Sequence, residues 1–87
     1  MRIREGFVLK NVADMIIVVP AGSTSLDFNG MITLNDTGAF LWNLLTSDTT
    51  EEELTAAMLK EYDVDEPTAL AGVKKFISRL EAEGLLA

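Results

Sequence analysis

The chain has 87 residues, no cysteine and no histidine, and fourteen Asp and Glu against seven Lys and Arg, for a formal charge of −7 at pH 7. This composition excludes disulfides, thiolate metal sites and the Cys–His or Ser–His–Asp arrangements of nucleophilic enzymes. The length predicts one small domain over residues 1–87, too small for a dinucleotide-binding unit, and the acidic balance argues against binding nucleic acid, whose phosphates Lys and Arg neutralise.

The chain up to residue 34 is rich in β-branched and alternating apolar residues, which predicts three antiparallel strands. The strands are expected at Phe7–Leu9, Met15–Val19 and Met31–Leu34, with a turn over Asn11–Asp14. The second run is continuously apolar, as is typical of a central strand. Asn29-Gly30 predicts a hairpin turn before the third strand, since both turn positions need positive φ. We also expect a strand-like ribbon over Ser25–Phe28.

From residue 35 onward the apolar residues recur at spacings of three and four, which predicts three helices. Asn35-Asp36-Thr37 opens the first helix, because Asn and Asp side chains accept hydrogen bonds from unpaired amides at a helix start. Thr50 and Glu53 form a capping box at the start of the second helix. The third helix begins near Asp65-Glu66-Pro67, where proline is tolerated in the first turn, and ends near Gly84.

Each predicted helix has one apolar face. These faces comprise Phe40, Leu41, Leu44 and Leu45, with Trp42 beside them; Leu54, Ala57, Met58 and Tyr62; and Leu70, Val73, Phe76, Ile77 and Leu80. Leu85-Leu86 is expected to fold back on the core. The order of elements therefore predicts a winged-helix-like α+β fold, with a three-stranded antiparallel sheet followed by a three-helix bundle.

Eight of the fourteen carboxylates lie between Asp48 and Glu66. Within this segment Asp63-Val64-Asp65 resembles the start of a calcium loop, but Pro67 and a helix stand where further oxygen ligands are needed. We interpret the cluster as helix caps and a solvated face. Paired carboxylates serve as general acid and base only where a cleft shifts one pKa, and nothing in the sequence indicates such a cleft. We predict no catalytic residue, metal or cofactor.

The longest apolar run has five residues, Met15–Val19, whereas a membrane-spanning helix needs about 20. The N-terminal residues also lack the apolar segment of a signal peptide. We therefore expect a cytoplasmic protein that does not associate with membranes.

Three of the seven basic residues, Lys74, Lys75 and Arg79, lie on the third predicted helix. A basic helix beside an exposed strand would attract an acidic extended peptide. The alternative is an ordinary solvated face of mixed charge, and spacing does not decide between them. These residues also support a winged-helix regulator that binds DNA, which the charge of −7 opposes.

The segment Leu34-Asn35-Asp36-Thr37-Gly38-Ala39-Phe40-Leu41-Trp42 resembles the Leu-Asn-x-Thr-Gly/Ala…Ile/Leu-Trp signature of the PqqD family, the pyrroloquinoline quinone (PQQ) synthesis protein D and its relatives. Three later segments fit the family in order and spacing: Thr49–Leu54, Tyr62–Asp65 and Phe76–Leu86. The resemblance thus covers essentially the whole chain. It implies structural roles for Asn35, Thr37, Gly38 and Trp42, with Trp42 packed under the sheet.

The resemblance also implies a non-catalytic recognition element for ribosomally synthesised and post-translationally modified peptides. Such an element binds the leader of a precursor peptide as an added strand and presents it to a modifying enzyme, often a radical S-adenosylmethionine enzyme, in PQQ or related biosynthesis. The implied peptide-binding residues are Met31, Ile32, Thr33 and Leu34 on the third strand and Leu70, Lys74, Ile77 and Ser78 on the third helix, with Lys75 and Arg79 near the rim.

Two further alternatives remain open from the sequence. The chain could be a structural subunit that docks on a larger enzyme without touching peptide. An exposed edge strand could also pair with its own copy and form a homodimer.

Overall fold

A computed structural model of the chain describes residues 1–21 and 32–87. These residues form three strands followed by three helices, so the predicted winged-helix-like α+β fold is confirmed. The strands are β1 (Phe7–Val12), β2 (Met15–Pro20) and β3 (Ile32–Leu34), and the helices are α1 (Asp36–Leu44), α2 (Glu51–Glu61) and α3 (Glu66–Ala82). The predicted Asn29-Gly30 hairpin and the Ser25–Phe28 ribbon lie outside the described residues. No helix within the described ranges is long and apolar enough to cross a bilayer.

The sheet is antiparallel with β2 in the centre, as its continuous apolar run predicts. The predicted turn at Asn11–Asp14 is wrong by two residues, because β1 continues through Val12 and only Ala13 and Asp14 form the turn. Both turn residues have positive φ, 47° and 69°, which is the type I′ geometry that matches the twist of a hairpin. Ala-Asp carries a weaker signal for this turn than Asn-Gly, so the sequence pattern placed the turn too early.

One face of the sheet packs against the helices. The buried cluster joins strand residues Val18, Ile32 and Leu34 to apolar side chains of all three helices. Trp42 is 2% exposed within this cluster, as expected. Leu85 is fully buried and Leu86 pairs with Ile3 in an isolated bridge, so the chain does fold back on the core after α3.

Each helix begins within the segment predicted for its start, and the structure identifies the capping residue. The side chains of Asn35, Thr50 and Asp65 accept hydrogen bonds from the backbone amides of Gly38, Glu53 and Thr68, at 2.8, 3.1 and 2.9 Å. The Thr50 hydroxyl also lies 3.3 Å from Glu53 Oε1. The second half of this capping box is therefore a contact between the two side chains. The three caps therefore fix where the helices start.

Eight of the fourteen residues on the predicted helix faces are buried, and the other six are half-buried: Phe40, Leu44, Ala57, Tyr62, Leu70 and Phe76. The Tyr62 ring packs edge-on against Phe40 with ring centroids 5.5 Å apart. Thr55 and Ala69 are buried although neither was expected. Thr55 is tolerated there because its hydroxyl donates to the carbonyl of Glu51 at 2.8 Å, which satisfies the buried polar group.

Candidate functional site

The outer edge of β3 is the first component of the site. β3 is the last strand in the sheet order β1-β2-β3, so within residues 1–21 and 32–87 only β2 pairs with it. An edge strand presents backbone donors and acceptors that another extended chain can pair with. The described strand has three residues, Ile32, Thr33 and Leu34. The direction of the backbone groups of these three residues decides which of them another chain can pair with.

The sheet register determines which residue of β3 directs its backbone N–H and C=O toward the open edge. In a two-residue type I′ hairpin the residues flanking the turn, here Val12 and Met15, exchange backbone hydrogen bonds. Successive residues of a central strand turn to alternate neighbours, so Met15 and Ile17 bond to β1 whereas Ile16 and Val18 bond to β3. Ile16 and Val18 pair with Leu34 and Ile32. We infer that the N–H and C=O of Thr33, opposite Ile17, point away from β2 toward the open edge.

A groove of about 870 Å³ runs beside this edge, between β3, the start of α1 and one face of α3. It is lined by Thr33, Leu34, Asn35, Thr37, Gly38, Leu41, Gly72, Lys75, Phe76 and Arg79. The four residues from α3 recur at i, i+3, i+4 and i+7, which places them on a single face of the helix. The groove thus has on one side a strand edge that no other described strand pairs with, and on the other side a continuous helix face.

Close packing between the helices and β3 shapes the groove at Gly38. A Cβ at this position would lie 3.2 Å from Asn35 Oδ1 and 3.3 Å from both Leu34 Cβ and Phe76 Cε1. The missing side chain therefore lets the Phe76 ring approach α1 and close the groove from below. Leu41, 1% exposed, and Leu34, 5% exposed, complete an apolar floor. Gly38 and Asn35 both have structural roles, as expected: Gly38 permits the close packing, and Asn35 caps α1.

Two cationic side chains, Lys75 and Arg79, line the groove. No Asp or Glu is among the lining residues, and neither Lys75 nor Arg79 forms an ion pair with any carboxylate in the part of the chain that the structure describes. Both side chains are exposed. In a chain with a net charge of −7 this is a local positive site, and it favours a ligand that carries a carboxylate.

The structure brings together part of the binding set expected from the sequence. Thr33 and Leu34 line the groove, Ile32 faces the core, and Met31 lies outside the described residues. The four expected residues of α3, Leu70, Lys74, Ile77 and Ser78, do not line it. Ile77 is 6% exposed and borders a second depression with Thr49 and Glu81. The peptide-binding role of all eight stays a prediction.

On α3, sequence reasoning missed Gly72 and Phe76 as groove residues and expected Lys75 and Arg79 only at the rim. It also expected only structural roles for Asn35, Thr37 and Gly38, which line the groove from the start of α1. The groove face of α3 mixes a glycine, an aromatic and two cations, so hydrophobic periodicity does not mark it as a unit. One helical residue corresponds to a rotation of about 100°. Assigning the right helix but a neighbouring face therefore exchanges Lys74 for Lys75. Only the packing of α3 on the sheet fixes this rotation.

Three comparisons with known proteins bear on the site. The family model for coenzyme PQQ synthesis protein D (PqqD) matches residues 14–86. The solved structure of TbiB1 in complex with the TbiA(beta) leader peptide is similar with a TM-score of 0.75 and 26% identity, covering 99% of this chain and 94% of that chain. Lasso peptide synthetase B1 complexed with its leader peptide shares the fold, with a TM-score of 0.72 and 18% identity over 97% of this chain and 93% of that one. No curated protein sequence matched this chain.

Proposed function

The chain belongs to the PqqD family, and from this membership we propose that it is a non-catalytic module that binds the leader of a ribosomally synthesised precursor peptide. The observation that carries the proposal is the groove beside the outward-facing backbone of Thr33. An extended peptide that adds to a sheet edge gains main-chain hydrogen bonds, and pockets beside the edge read its alternate side chains. The leader-peptide complexes of TbiB1 and of lasso peptide synthetase B1 support the same reading.

The described part of β3 bears on the expected strength of this interaction. Within it, Thr33 offers one donor and one acceptor toward the open edge, and each hydrogen bond contributes about 0.5–1.5 kcal/mol net. Most of the affinity must then come from side chains of the peptide that enter the groove at every second position. Micromolar affinity, about −8 kcal/mol, is the magnitude we expect.

The charge of the groove indicates the chemistry of the peptide. Lys75 and Arg79 favour a leader with at least one carboxylate on the side that faces α3. Exposed ion pairs contribute only about 0.2–1 kcal/mol each, so their main effect is on register and on the rate of encounter. We therefore propose an acidic leader whose apolar side chains provide most of the binding free energy.

A titration of ¹⁵N-labelled protein with a synthetic leader tests the proposal. The peptide is taken from a precursor encoded beside the gene for this chain, and a scrambled version of it is the control. We expect backbone shifts at Thr33, Leu34 and the groove face of α3, namely Gly72, Lys75, Phe76 and Arg79. Shifts confined to Leu70, Lys74, Ile77 and Ser78 would favour the helix face expected from the sequence. No saturable shift with any leader would overturn the proposal.

The proposal includes the setting in which the module acts. As a non-catalytic chain of one domain, it presents the bound peptide to a separate modifying enzyme, and a radical S-adenosylmethionine enzyme in the cytoplasm is the partner that the family likeness favours. The partner enzyme rather than this chain then determines whether the product is PQQ or another modified peptide. Modification of the precursor by that enzyme should depend on adding this chain, and equal turnover without it would contradict this role.

A further inference from the structure

Gly72 is an unusual residue for its position. It lies in the interior of α3, which runs from Glu66 to Ala82, and it is exposed. Glycine destabilises a helix interior relative to alanine, because it loses more backbone freedom on folding and adds no side-chain contact. Helix stability therefore does not explain why a glycine lies at this position.

The described structure offers no packing reason for it. The glycines with positive φ are Gly6 and Gly84, where a left-handed conformation requires the residue. Gly38 is required by close approach to neighbouring atoms. A Cβ at Gly72, in contrast, would meet no atom of residues 1–21 or 32–87 within 4 Å. This part of the fold would therefore accept a side chain at position 72.

The open space at Gly72 belongs to the groove. Gly72 lines the groove one helical turn before Phe76, so the missing side chain leaves a gap in the helix wall next to an aromatic ring. We propose that this gap, the Gly72 notch, is a specificity-determining feature that admits a large apolar side chain of the peptide bound along β3. The inference rests on the proposed function and adds the type of residue that the peptide must carry.

The spacing of the groove also predicts the neighbouring peptide residue. Side chains on one face of an extended peptide recur every two residues, about 6.8 Å apart. Measured along the axis of α3 from Gly72, Lys75 lies about 4.5 Å away and Arg79 about 10.5 Å away. For a peptide that runs along α3 from Gly72 toward Arg79, the groove-facing residue two positions after the one in the notch falls between the two cations. The peptide should therefore combine a large apolar residue with Asp or Glu two positions away.

Peptide selection separates this inference from the proposed function. A random peptide library displayed on phage is enriched in parallel on the wild-type chain, on Gly72→Leu and on Ala71→Leu. The last variant adds the same bulk to an exposed position of α3 that does not line the groove. We expect wild type and Ala71→Leu to enrich the same large apolar and acidic pair. Gly72→Leu should select a small residue in place of the large one.

Calorimetry with the peptide most enriched on wild type gives the magnitude. Replacing its large apolar residue by Ala should weaken binding to wild type about tenfold or more, and Gly72→Leu should weaken binding of the unaltered peptide similarly. Thermal unfolding of Gly72→Leu should match or exceed that of wild type. Enrichment of identical sequences by wild type and Gly72→Leu would overturn the proposed role of the notch and leave the proposed function standing. A wild-type chain that enriches no sequence would overturn the proposed function and the notch with it.

Discussion

Thr33 is the residue whose backbone the sheet register turns toward the open edge of β3. Its neighbours Ile32 and Leu34 point their backbone groups at β2 and their side chains into the core. Among the described residues of β3, Thr33 is therefore the one whose amide and carbonyl are directed at the proposed peptide. A single substitution at Thr33 can test this role.

Thr33→Pro removes the outward N–H and should weaken binding of a leader peptide about tenfold, the magnitude of one lost hydrogen bond with some distortion of the added strand. Calorimetric titration measures the change. Asn11→Pro is the matched control, since the same register turns the Asn11 amide outward at the opposite edge of the sheet. Equal losses in both variants would contradict the assignment of β3 as the binding edge.

The two glycines of the groove should respond oppositely to alanine. Gly38→Ala places a Cβ 3.2–3.3 Å from three atoms and should lower the free energy of unfolding by about 1 kcal/mol, because overpacking outweighs the gain in helix propensity. Gly72→Ala places a Cβ where no described atom lies within 4 Å, and it should raise the free energy of unfolding by about 0.5–1 kcal/mol. Urea denaturation measures the free energy of unfolding of both variants. A change of the same sign in the two variants would contradict the prediction.

At the scale of elements, helix caps explain why the helices were predicted more accurately than the strands. A cap is a local interaction between a side chain and an amide two or three residues away, so Asn35, Thr50 and Asp65 mark helix starts in the sequence. The end of β1 depends instead on pairing with β2 and on a turn, Ala13-Asp14, that lacks glycine. Pairing between strands is a tertiary property, which is why the turn was misplaced.

The cap of α3 makes part of the stability depend on pH. The hydrogen bond from Thr68 to the carboxylate of Asp65 holds the pKa of Asp65 below its ordinary value of 3.8. A carboxyl with a depressed folded-state pKa contributes stability that is present above the unfolded pKa and lost as pH falls through the folded pKa. The loss should therefore begin as pH drops toward 3.8 and continue below it.

Asp65→Asn tests this linkage because Asn retains the capping oxygen and cannot ionise. We expect the free energy of unfolding of wild type to fall more steeply than that of Asp65→Asn as pH is lowered from neutral through the ordinary pKa of Asp. Urea titrations at a series of pH values compare the slopes. Parallel curves for the two proteins would show that the cap is not linked to protonation.

At the scale of the whole molecule, the net charge conceals an uneven distribution. The chain carries −7 overall, yet among the described residues no carboxylate lines the groove and two cations do. An acidic leader is therefore repelled at long range and attracted only near the groove. Added salt screens both the repulsion and the attraction. A substitution in the groove, compared with one outside it, separates the local attraction from the effect of net charge.

Lys75→Glu should weaken binding of an acidic leader by about tenfold, because it removes an attraction and adds a repulsion. Lys74→Glu makes the same change of net charge one residue away, at an exposed position outside the groove. Titrations of both variants at low and high salt should show a large loss for Lys75→Glu alone, reduced at high salt. Equal losses would indicate that only the net charge matters.

The sequence by itself determined the class of fold, the starts of the helices and the family likeness, because apolar periodicity, caps and the Leu34–Trp42 signature are local. It also located Thr33 and Leu34 on the strand that borders the groove. Tertiary structure alone decided which face of α3 borders that groove and which backbone groups of β3 point outward. The rotation of a helix on a sheet and the pairing of strands depend on contacts between residues far apart in the chain, such as Gly38 with Phe76 and Ile17 with Thr33. Gly72 acquires its proposed role from that rotation.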